Sequence, residues 1–377
     1  MSDMIYIVLL ICFIYSTQIL LYEKAWNKIS KNKEVNNNDK ISVVVACRNE
    51  EKNIKNLRKD VMHQNFDKER FQFIIVDDHS EDKTLEILYK ESEKWDNLHI
   101  VCMNDDEIGK KNAIRKGVRF TKGDVILCTD ADCKIQENWI KTMLSNFTNK
   151  HIKFVAGPVK YSSEDNFLNK FQSLELISLV SSGAAAIQRK KSTICNGANL
   201  AFRRKEYNEI PLDVFHDFST DDVSLLNYFK NHYKDGILFS RDLDSIVETN
   251  SNSDLISQFK QKLRWISNSK TTRDLQSFYV ASVVFLMNSL ISILLVLSLW
   301  SVFSGYEEIH IILINLFVAV FIKYVTDYLF LKVVLDFFRR KDLLIYLLPF
   351  EIINAIYTVV IVPLSLISFP KWKGRRI

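Results

Sequence analysis

Long apolar segments lie near both ends of the chain and predict helices that cross a membrane. Met4 to Tyr22 and Phe278 to Phe303 contain no charged residue. Ile311 to Leu335 is apolar apart from three ionisable side chains: Lys323, Asp327 and Lys332. A helix that spans the hydrocarbon core takes about 20 residues. The first segment has no basic stretch before it and no small-residue cleavage site after it, so we expect an anchor rather than a signal peptide.

The ionisable side chains of the third segment have two interpretations. They face protein or water inside a packed bundle or a polar path, or they lie near one interface and extend toward water. The next apolar stretch, Leu343 to Phe369, is too short for two spans. It is interrupted by Pro349, Glu351 and Pro363. We therefore expect a re-entrant or interfacial element there.

Basic residues beside the predicted spans set the orientation. Lysine and arginine near span ends favour the cytoplasmic side, and four lysines follow the first span: Lys24, Lys28, Lys31 and Lys33. The loop Ser304 to Glu308 has none, which suits the outer side, and Arg339 to Lys341 returns to the inside. The sequence thus predicts an integral, multi-pass membrane protein whose polar middle is cytoplasmic.

The polar middle alternates short apolar runs with helix-like segments. The apolar runs are Ile41 to Cys47, Phe71 to Val76, Leu98 to Met103, Val125 to Cys128 and Phe154 to Ala156. The helix-like segments between them are Glu51 to His63, Asp82 to Trp95 and Lys110 to Phe120. Continuous β-branched runs are typical of strands covered on both faces, and strands that alternate with helices form parallel sheets. The predicted fold class is therefore α/β, with a Rossmann-like, mainly parallel sheet.

Polar residues follow the predicted strands, where ligands of parallel sheets bind. Asp78 follows the second strand, and Lys110 and Lys111 open a helix after the third, at a position that favours a phosphate. Asp130 and Asp132 follow the fourth strand, and Mg²⁺ is commonly held by one or two carboxylates plus substrate phosphates. Each feature also has an ordinary alternative, such as a helix cap or a solvated charge. Together they predict a site for a nucleotide diphosphate.

Charge and cysteine content exclude other classes. The formal charge is +5, and no basic stripe with interleaved aromatic residues indicates a nucleic-acid partner. The six cysteines show no paired C-x-x-C spacing, so neither a zinc site nor a disulfide framework is predicted.

A family resemblance joins these motifs. The segments that carry it are Val43-Val-Val-Ala-Cys-Arg-Asn-Glu50, Val76-Asp-Asp-His-Ser80, Gly109-Lys-Lys-Asn-Ala113, Thr129-Asp-Ala-Asp132, Asn196-Gly-Ala-Asn-Leu-Ala-Phe202, Thr220-Asp-Asp222 and Gln261-Lys-Leu-Arg-Trp265. In this order, over Ile41 to Lys270, they resemble a membrane glycosyltransferase of family 2 with the GT-A fold, similar to cellulose synthase, poly-N-acetylglucosamine synthase and ceramide glucosyltransferase-like enzymes. His79 stands where the family commonly has Gly, and Asp221 stands where it has Glu.

The resemblance implies an inverting transfer from a nucleotide-diphosphate sugar, usually a UDP-sugar, to give a β-linkage. It implies Asp222 as the catalytic base and a Mg²⁺ or Mn²⁺ cofactor held by Asp132, with Asp130 binding metal or ribose. The remaining implied roles are donor binding by Asp78, Lys110, Lys111, Asp130 and Arg264, and acceptor or diphosphate contacts by Gln261, Arg264, Trp265, Asn196 and Gly197. Without the resemblance, an N-cap is the preferred explanation of Asp222, and Gln261 to Trp265 is explained as part of an amphipathic helix on the membrane surface.

The expected organisation has four parts: a transmembrane anchor at 1–23, a linker at 24–40, the GT-A domain at 41–270, and transmembrane or interfacial helices with a basic tail at 271–377. The expected location is a bacterial inner membrane. The expected partners are a nucleotide-sugar donor and a lipid or saccharide acceptor. Three functions stay open: single transfer to a lipid or lipid-linked acceptor, processive synthesis of a β-linked polysaccharide, and a silent nucleotide-sugar-binding scaffold.

Overall fold

The computed structural model describes residues 2–30, 37–162, 166–211, 221–252, 254–269, 274–367, 371–372 and 375–376. The chain divides into two compact units. The membrane unit comprises Met1–Lys28, Glu164–Ser178 and Asn252–Ile377, and the catalytic unit comprises Ile29–Ser163 and Leu179–Ser251. Part of the predicted linker lies outside the described residues.

The catalytic unit is built on nine strands. They are β1 (Ile41–Cys47), β2 (Phe71–Asp77), β3 (Leu98–Cys102), β4 (Val125–Cys128), β5 (Phe154–Ala156), β6 (Val159–Tyr161), β7 (Leu200–Arg203), β8 (Ile237–Phe239) and β9 (Val247–Thr249). All five apolar runs singled out in the sequence form strands, β1 to β5. The prediction rested on β-branched residues that can be covered on both faces, and Val43, Val44 and Val45 are completely buried in the structure.

Seven of these strands form one sheet in the order β3-β2-β1-β4-β7-β5-β8. The first four strands of that order and the β5–β8 pair run parallel, whereas β7 runs antiparallel to both of its neighbours. The predicted mainly parallel sheet is therefore confirmed. Strands β6 and β9 form a separate parallel pair.

Helices follow the strands along the chain. They are α2 (Ile54–Met62), α3 (Thr84–Ser92), α4 (Lys110–Arg119), α5 (Trp139–Ser145), α6 (Phe167–Gln188), α7 (Arg204–Asn208) and α8 (Asp221–His232). The first three lie at the positions predicted from the sequence. The α3 helix starts two residues later than predicted because Asp82 Oδ1 accepts a hydrogen bond from Thr84 N at 2.9 Å. This bond satisfies one of the free N–H groups at the helix start.

The membrane unit contains α1 (Ser2–Lys28), the first half of α6, and four further helices: α9 (Leu255–Ser269), α10 (Leu275–Ser304), α11 (Ile309–Phe337) and α12 (Leu347–Ile367). Four helical segments are long and apolar enough to cross a membrane: Met4–Lys28, Leu275–Ser304, Ile309–Phe337 and Lys341–Ser365. The first three contain the three predicted spans. Aromatic contacts join α1 to α11, for example Trp26 to Phe337 with ring centroids 5.5 Å apart.

The fourth segment contains α12, which is one continuous helix with Pro363 inside it. This helix lies alongside α9. The rings of Phe259 and Tyr357 are 6.1 Å apart, and Ser267 Oγ donates to Ser365 O at 3.1 Å near the other end of both helices. The re-entrant or interfacial placement of this stretch stays a prediction.

Candidate active site

Asp78 joins the end of β2 to the start of α4. Its side chain is fully buried, and its Oδ2 accepts a hydrogen bond from Gly109 N at 3.0 Å. Its Oδ1 lies 3.0 Å from Nδ1 of the neighbouring His79. His79 has a φ of 57°, a left-handed conformation that costs a non-glycine residue little in a tight turn. The substitution of the family's usual Gly by His therefore keeps the turn.

The start of α4 places a lysine over the carboxylates that follow β4. Gly109 precedes the helix with a φ of 95°, a conformation that only glycine adopts readily. Lys110 is the first residue of the helix, and its Nζ binds Asp130 Oδ1 at 2.5 Å. Backbone N–H groups at the start of a helix, with a lysine beside them, favour a bound phosphate.

Asp130 and Asp132 lie in the turn that follows β4. Asp132 Oδ2 accepts a hydrogen bond from Thr249 Oγ1 at 3.3 Å, which ties the turn to the end of β9. Burial raises the pKa of Asp132, and the nearby carboxylates of Asp130 and Glu50 raise it further. The turn therefore concentrates negative charge in a poorly hydrated place, where a cation would be favoured.

The donor groups in this turn fit a hard divalent cation. Among the described residues, no group of three or more His, Cys, Asp or Glu side chains forms a complete metal site. Mg²⁺ usually keeps water and substrate phosphates among its ligands and takes only one or two protein carboxylates. The Asp130 and Asp132 oxygens match that requirement, and a nucleotide diphosphate would complete it.

Asp222 lies in the first turn of α8 and is held by two backbone N–H groups. Gly197 N donates to its Oδ2 at 2.8 Å, and Val223 N donates to its Oδ1 at 2.8 Å. These two hydrogen bonds fix the orientation of the carboxylate. Because α8 begins at Asp221, Asp222 is inside the helix rather than its N-cap. Thr220 and the side chain of Asp221 lie outside the described residues.

Gly197 lies between the two charged ends of the site. A Cβ atom added at Gly197 would be 3.3 Å from Lys110 Nζ and 3.3 Å from Asp222 Oδ2. Lys110 thus reaches both Asp130 and the surroundings of Asp222. A pocket opens beside these groups and is lined by Lys110, Lys111, Gly197 and Asp222 together with Ile114, Cys128, Leu200, Phe202, Tyr207 and Leu225.

Cys195 is next to this site but is not a nucleophile. Burial raises the pKa of its thiol well above the usual range, and the charge of Asp222 raises it further. Its Sγ lies 3.4 Å from the backbone oxygen of Asp222. A thiol that stays protonated is a poor nucleophile.

The Gln261-x-x-Arg264-Trp265 motif lies on α9 in the membrane unit. Gln261 Oε1 accepts a hydrogen bond from Asn252 Nδ2 at 2.9 Å. Lys262 Nζ lies 5.3 Å from the centre of the Trp265 ring and forms an ion pair with Glu175 of α6. Arg264 is half-buried. Contacts with α6 and α12 therefore hold the motif helix from more than one direction.

Asn196 and Asn199 shape the loop that presents Gly197, and the importance of Asn199 was not predicted from the sequence. Asn196 Oδ1 accepts from Ala198 N at 3.0 Å. Asn199 is fully buried. Its Oδ1 accepts from Trp139 Nε1 at 3.0 Å, and its Nδ2 donates to Pro158 O at 2.8 Å and Ser245 O at 2.7 Å. The only sequence signal was its place inside the Asn196-to-Phe202 segment.

Replacing Asn199 by Leu should lower the free energy of unfolding by about 3 kcal/mol or more, because three buried polar partners lose their hydrogen bonds at 1–3 kcal/mol each. Thermal unfolding of the full chain in detergent measures this effect. Asn56→Leu, on the exposed surface of α2, is the matched control and should change stability little. Equal stability of the two variants would contradict the role of Asn199.

Part of the chain is similar to known proteins. Residues 42–210 match the model of the family described as glycosyl transferase family 2. The poly-beta-1,6-N-acetyl-D-glucosamine synthase of Staphylococcus aureus (strain COL) is 29% identical over 143 residues, which are 37% of this chain and 33% of that protein. Glycosyltransferase AglE of Haloferax volcanii is 28% identical over 122 residues, 32% of this chain and 40% of that protein. The match thus spans only a third to two fifths of these relatives' length.

One solved structure is similar over nearly the whole chain. It is the mannosyltransferase PcManGT from Pyrobaculum calidifontis in complex with GDP-Man and Mn²⁺, with a TM-score of 0.58 and 15% sequence identity. The match covers 95% of this chain and 99% of that one. At this identity the likeness shows the fold, which is the GT-A fold.

Proposed function

We propose that this chain, whose residues 42–210 match glycosyl transferase family 2 and whose fold is the GT-A fold, performs an inverting transfer. The sugar comes from a nucleotide-diphosphate sugar, with a UDP-sugar as the first candidate. It goes to a membrane-associated lipid or lipid-linked acceptor, with a β-linkage. The observation that carries the proposal is the line of contacts from Asp130 through Lys110 and Gly197 to Asp222.

The donor occupies the side of the site formed by the ends of β2 and β4 and the start of α4. Asp78 fixes the nucleoside end, and Lys110 and Lys111 neutralise the diphosphate. Asp132 holds the divalent cation, and Asp130 binds the cation or the ribose. A bound Mg²⁺ or Mn²⁺ would supply Lewis-acid stabilisation of the leaving diphosphate. The Mn²⁺ in the mannosyltransferase complex supports a divalent cation here.

Asp222 acts as the base on the acceptor side. Its carboxylate takes the proton of the acceptor hydroxyl while that oxygen attacks the anomeric carbon of the donor, and the bond to the diphosphate breaks on the opposite face. A carboxylate is suited to this proton transfer. The Gly197 and Val223 N–H groups hold the carboxylate in one orientation. One displacement of this kind turns an α-linked donor into a β-linked product.

Two motifs supply the acceptor part of the proposal. Arg264 supplies a planar group suited to phosphate, Trp265 supplies a flat apolar surface, and Gln261 completes the first motif. Asn196 and Gly197 form the acceptor loop. In the sequence the motif helix α9 precedes α10, which is apolar enough to cross a membrane, so an acceptor that resides in the bilayer suits this motif.

Processive polymer synthesis is the second candidate. It is favoured by the similarity to a synthase named for the polymer poly-beta-1,6-N-acetyl-D-glucosamine. That similarity covers only a third of the synthase, and the small set of apolar helices here offers little material for a polymer channel. Single transfer is therefore our first choice. A silent scaffold would not need Asp222 held by two N–H groups.

The size of the product distinguishes these functions. The full chain in detergent is incubated with Mn²⁺ or Mg²⁺, a membrane lipid extract, and a panel of UDP-sugars with GDP-mannose. We expect nucleotide release with one donor and a lipid product enlarged by one sugar in mass spectrometry. A ladder of products would replace single transfer by the polymer function, and donor binding without release would indicate a scaffold.

A further inference from the structure

Four polar side chains meet inside the membrane unit, far in sequence from the proposed catalytic groups. Lys323 and Asp327 lie one turn apart on α11, Glu351 lies on α12, and Tyr15 lies on α1. All four are almost completely buried, with exposures of 3%, 8%, 2% and 4% in that order. Ionisable groups in such a place are costly and are usually retained for a reason.

The contacts of the cluster centre on the lysine. Lys323 Nζ donates to Asp327 Oδ2 at 2.6 Å and forms a second, very short ion pair with Glu351 Oε2. Tyr15 OH lies 2.8 Å from both carboxylate oxygens of Asp327. Next to the cluster, Ser16 Oγ and Thr326 Oγ1 are 2.9 Å apart. The cluster therefore ties α1, α11 and α12 together.

The charges of this cluster do not balance if both carboxyl groups are ionised. One ammonium group would then serve two carboxylates, and the adjoining helix α10 carries no charged residue between Phe278 and Phe303. A buried charge without a partner is strongly unfavourable. Two carboxylates next to each other also cannot both stay ionised easily, and such pairs commonly share one proton.

The hydrogen bonds indicate which of the two carboxyl groups carries a proton. Asp327 accepts from Tyr15 and from Lys323, so its negative charge is well solvated by donors. Glu351 Oε1 is buried and has no hydrogen-bond partner among the described residues. Negative charge on a carboxyl group that few donors bind is the less stable of the two, so the proton belongs on Glu351 rather than on Asp327.

We propose that Glu351 is a proton-binding site: its carboxyl group holds a proton, and Asp327 stays ionised. The cluster is then neutral, with Lys323 positive, Asp327 negative, and Glu351 and Tyr15 uncharged. A neutral cluster can lie inside an apolar bundle and still use directional hydrogen bonds to fix α12 on α11. Because α12 packs against α9, the proton on Glu351 also helps to position the helix that carries Gln261 and Trp265.

Infrared spectroscopy of the full chain in detergent or lipid tests the proposal directly. A protonated carboxyl group has a C=O stretching band, separate from the carboxylate bands, that shifts in heavy water. We expect such a band at neutral pH in the wild type and in the control Glu307→Gln, whose side chain is exposed, and we expect Glu351→Gln to lose it. A wild-type spectrum without the band, or one in which Glu351→Gln keeps it, would overturn the proposal. A metal cation bound in place of the proton would also give a wild-type spectrum without the band.

The melting temperatures of two variants give an independent test. Glu351→Gln replaces a neutral group by a neutral group of the same shape, so the melting temperature should stay within about 2 °C of the wild type. Lys323→Met leaves a carboxylate without its partner and should lower the melting temperature by about 5 °C or more. An equal loss in both variants would show that Glu351 is an ionised partner of Lys323 and would refute the proton.

Discussion

Replacing Asp222 by Asn should lower the rate of sugar transfer by about 10²- to 10⁴-fold, the usual contribution of a positioned acid or base. Asn has the same shape and can still accept the hydrogen bond from Gly197 N, but it cannot take a proton from the acceptor. Binding of the nucleotide involves other residues in the proposed site, so its dissociation constant should stay unchanged. Nucleotide release and calorimetric UDP binding, measured on the same preparation, separate the two effects.

The control for Asp222→Asn is Asp235→Asn in the same unit. Asp235 forms a surface ion pair with Lys190 and is largely exposed, so its loss should leave the transfer rate within about twofold, because exposed ion pairs contribute little. If Asp222→Asn also retained the wild-type rate, Asp222 would not be the base.

Replacing Asp132 by Asn should produce the second large loss, about 10²- to 10³-fold in transfer rate, the size seen when one electrostatic stabilising group is removed. The amide keeps the size of the side chain and removes the charge that favours a cation. In contrast to Asp222→Asn, this variant should also weaken the binding of Mn²⁺ in the presence of UDP. A manganese titration followed by electron paramagnetic resonance measures that binding.

Asp96→Asn, at an exposed position before β3, is the control for Asp132→Asn and should bind Mn²⁺ like the wild type. A normal manganese titration for Asp132→Asn would show that Asp132 does not bind the metal. A lost metal signal with an unchanged transfer rate would show that the cation is not needed for transfer.

The donor half of the site could be predicted because it depends on local patterns. The carboxyl ends of parallel strands meet at one edge of the sheet, so Asp78, Lys110 and Asp130 were expected to lie close together although they are far apart in sequence. The structure brings Lys110 Nζ to within 2.5 Å of Asp130 Oδ1. Buried β-branched runs and turn residues indicate in the sequence itself where each strand ends.

The acceptor half was accessible only through the family resemblance. Strand β7 pairs antiparallel with β4 and β5. Gly197 lies in the loop before β7, and Asp222 lies in the first turn of α8. No local pattern specifies such an insertion into a parallel sheet. The three hydrogen bonds of Asn199 likewise join segments that are distant in sequence.

The contacts of the charged residues in the membrane unit also could not be predicted from local sequence patterns. Lys323 and Asp327 were expected to lie in a packed bundle or to extend toward water, and their burial decides for the bundle. In the sequence, Glu351 was interpreted as an interruption of an apolar stretch. Its ion pair with Lys323 connects two helices, and single-sequence periodicity contains no signal for a partner on another helix.

The anomeric configuration of the product tests the central claim most directly. A donor of known α configuration is incubated with the full chain, the lipid extract and Mn²⁺, and the linkage formed is determined by NMR spectroscopy of the purified product. A single displacement assisted by Asp222 predicts a β-linkage. An α-linked product would contradict inversion and with it the role of Asp222 as the base.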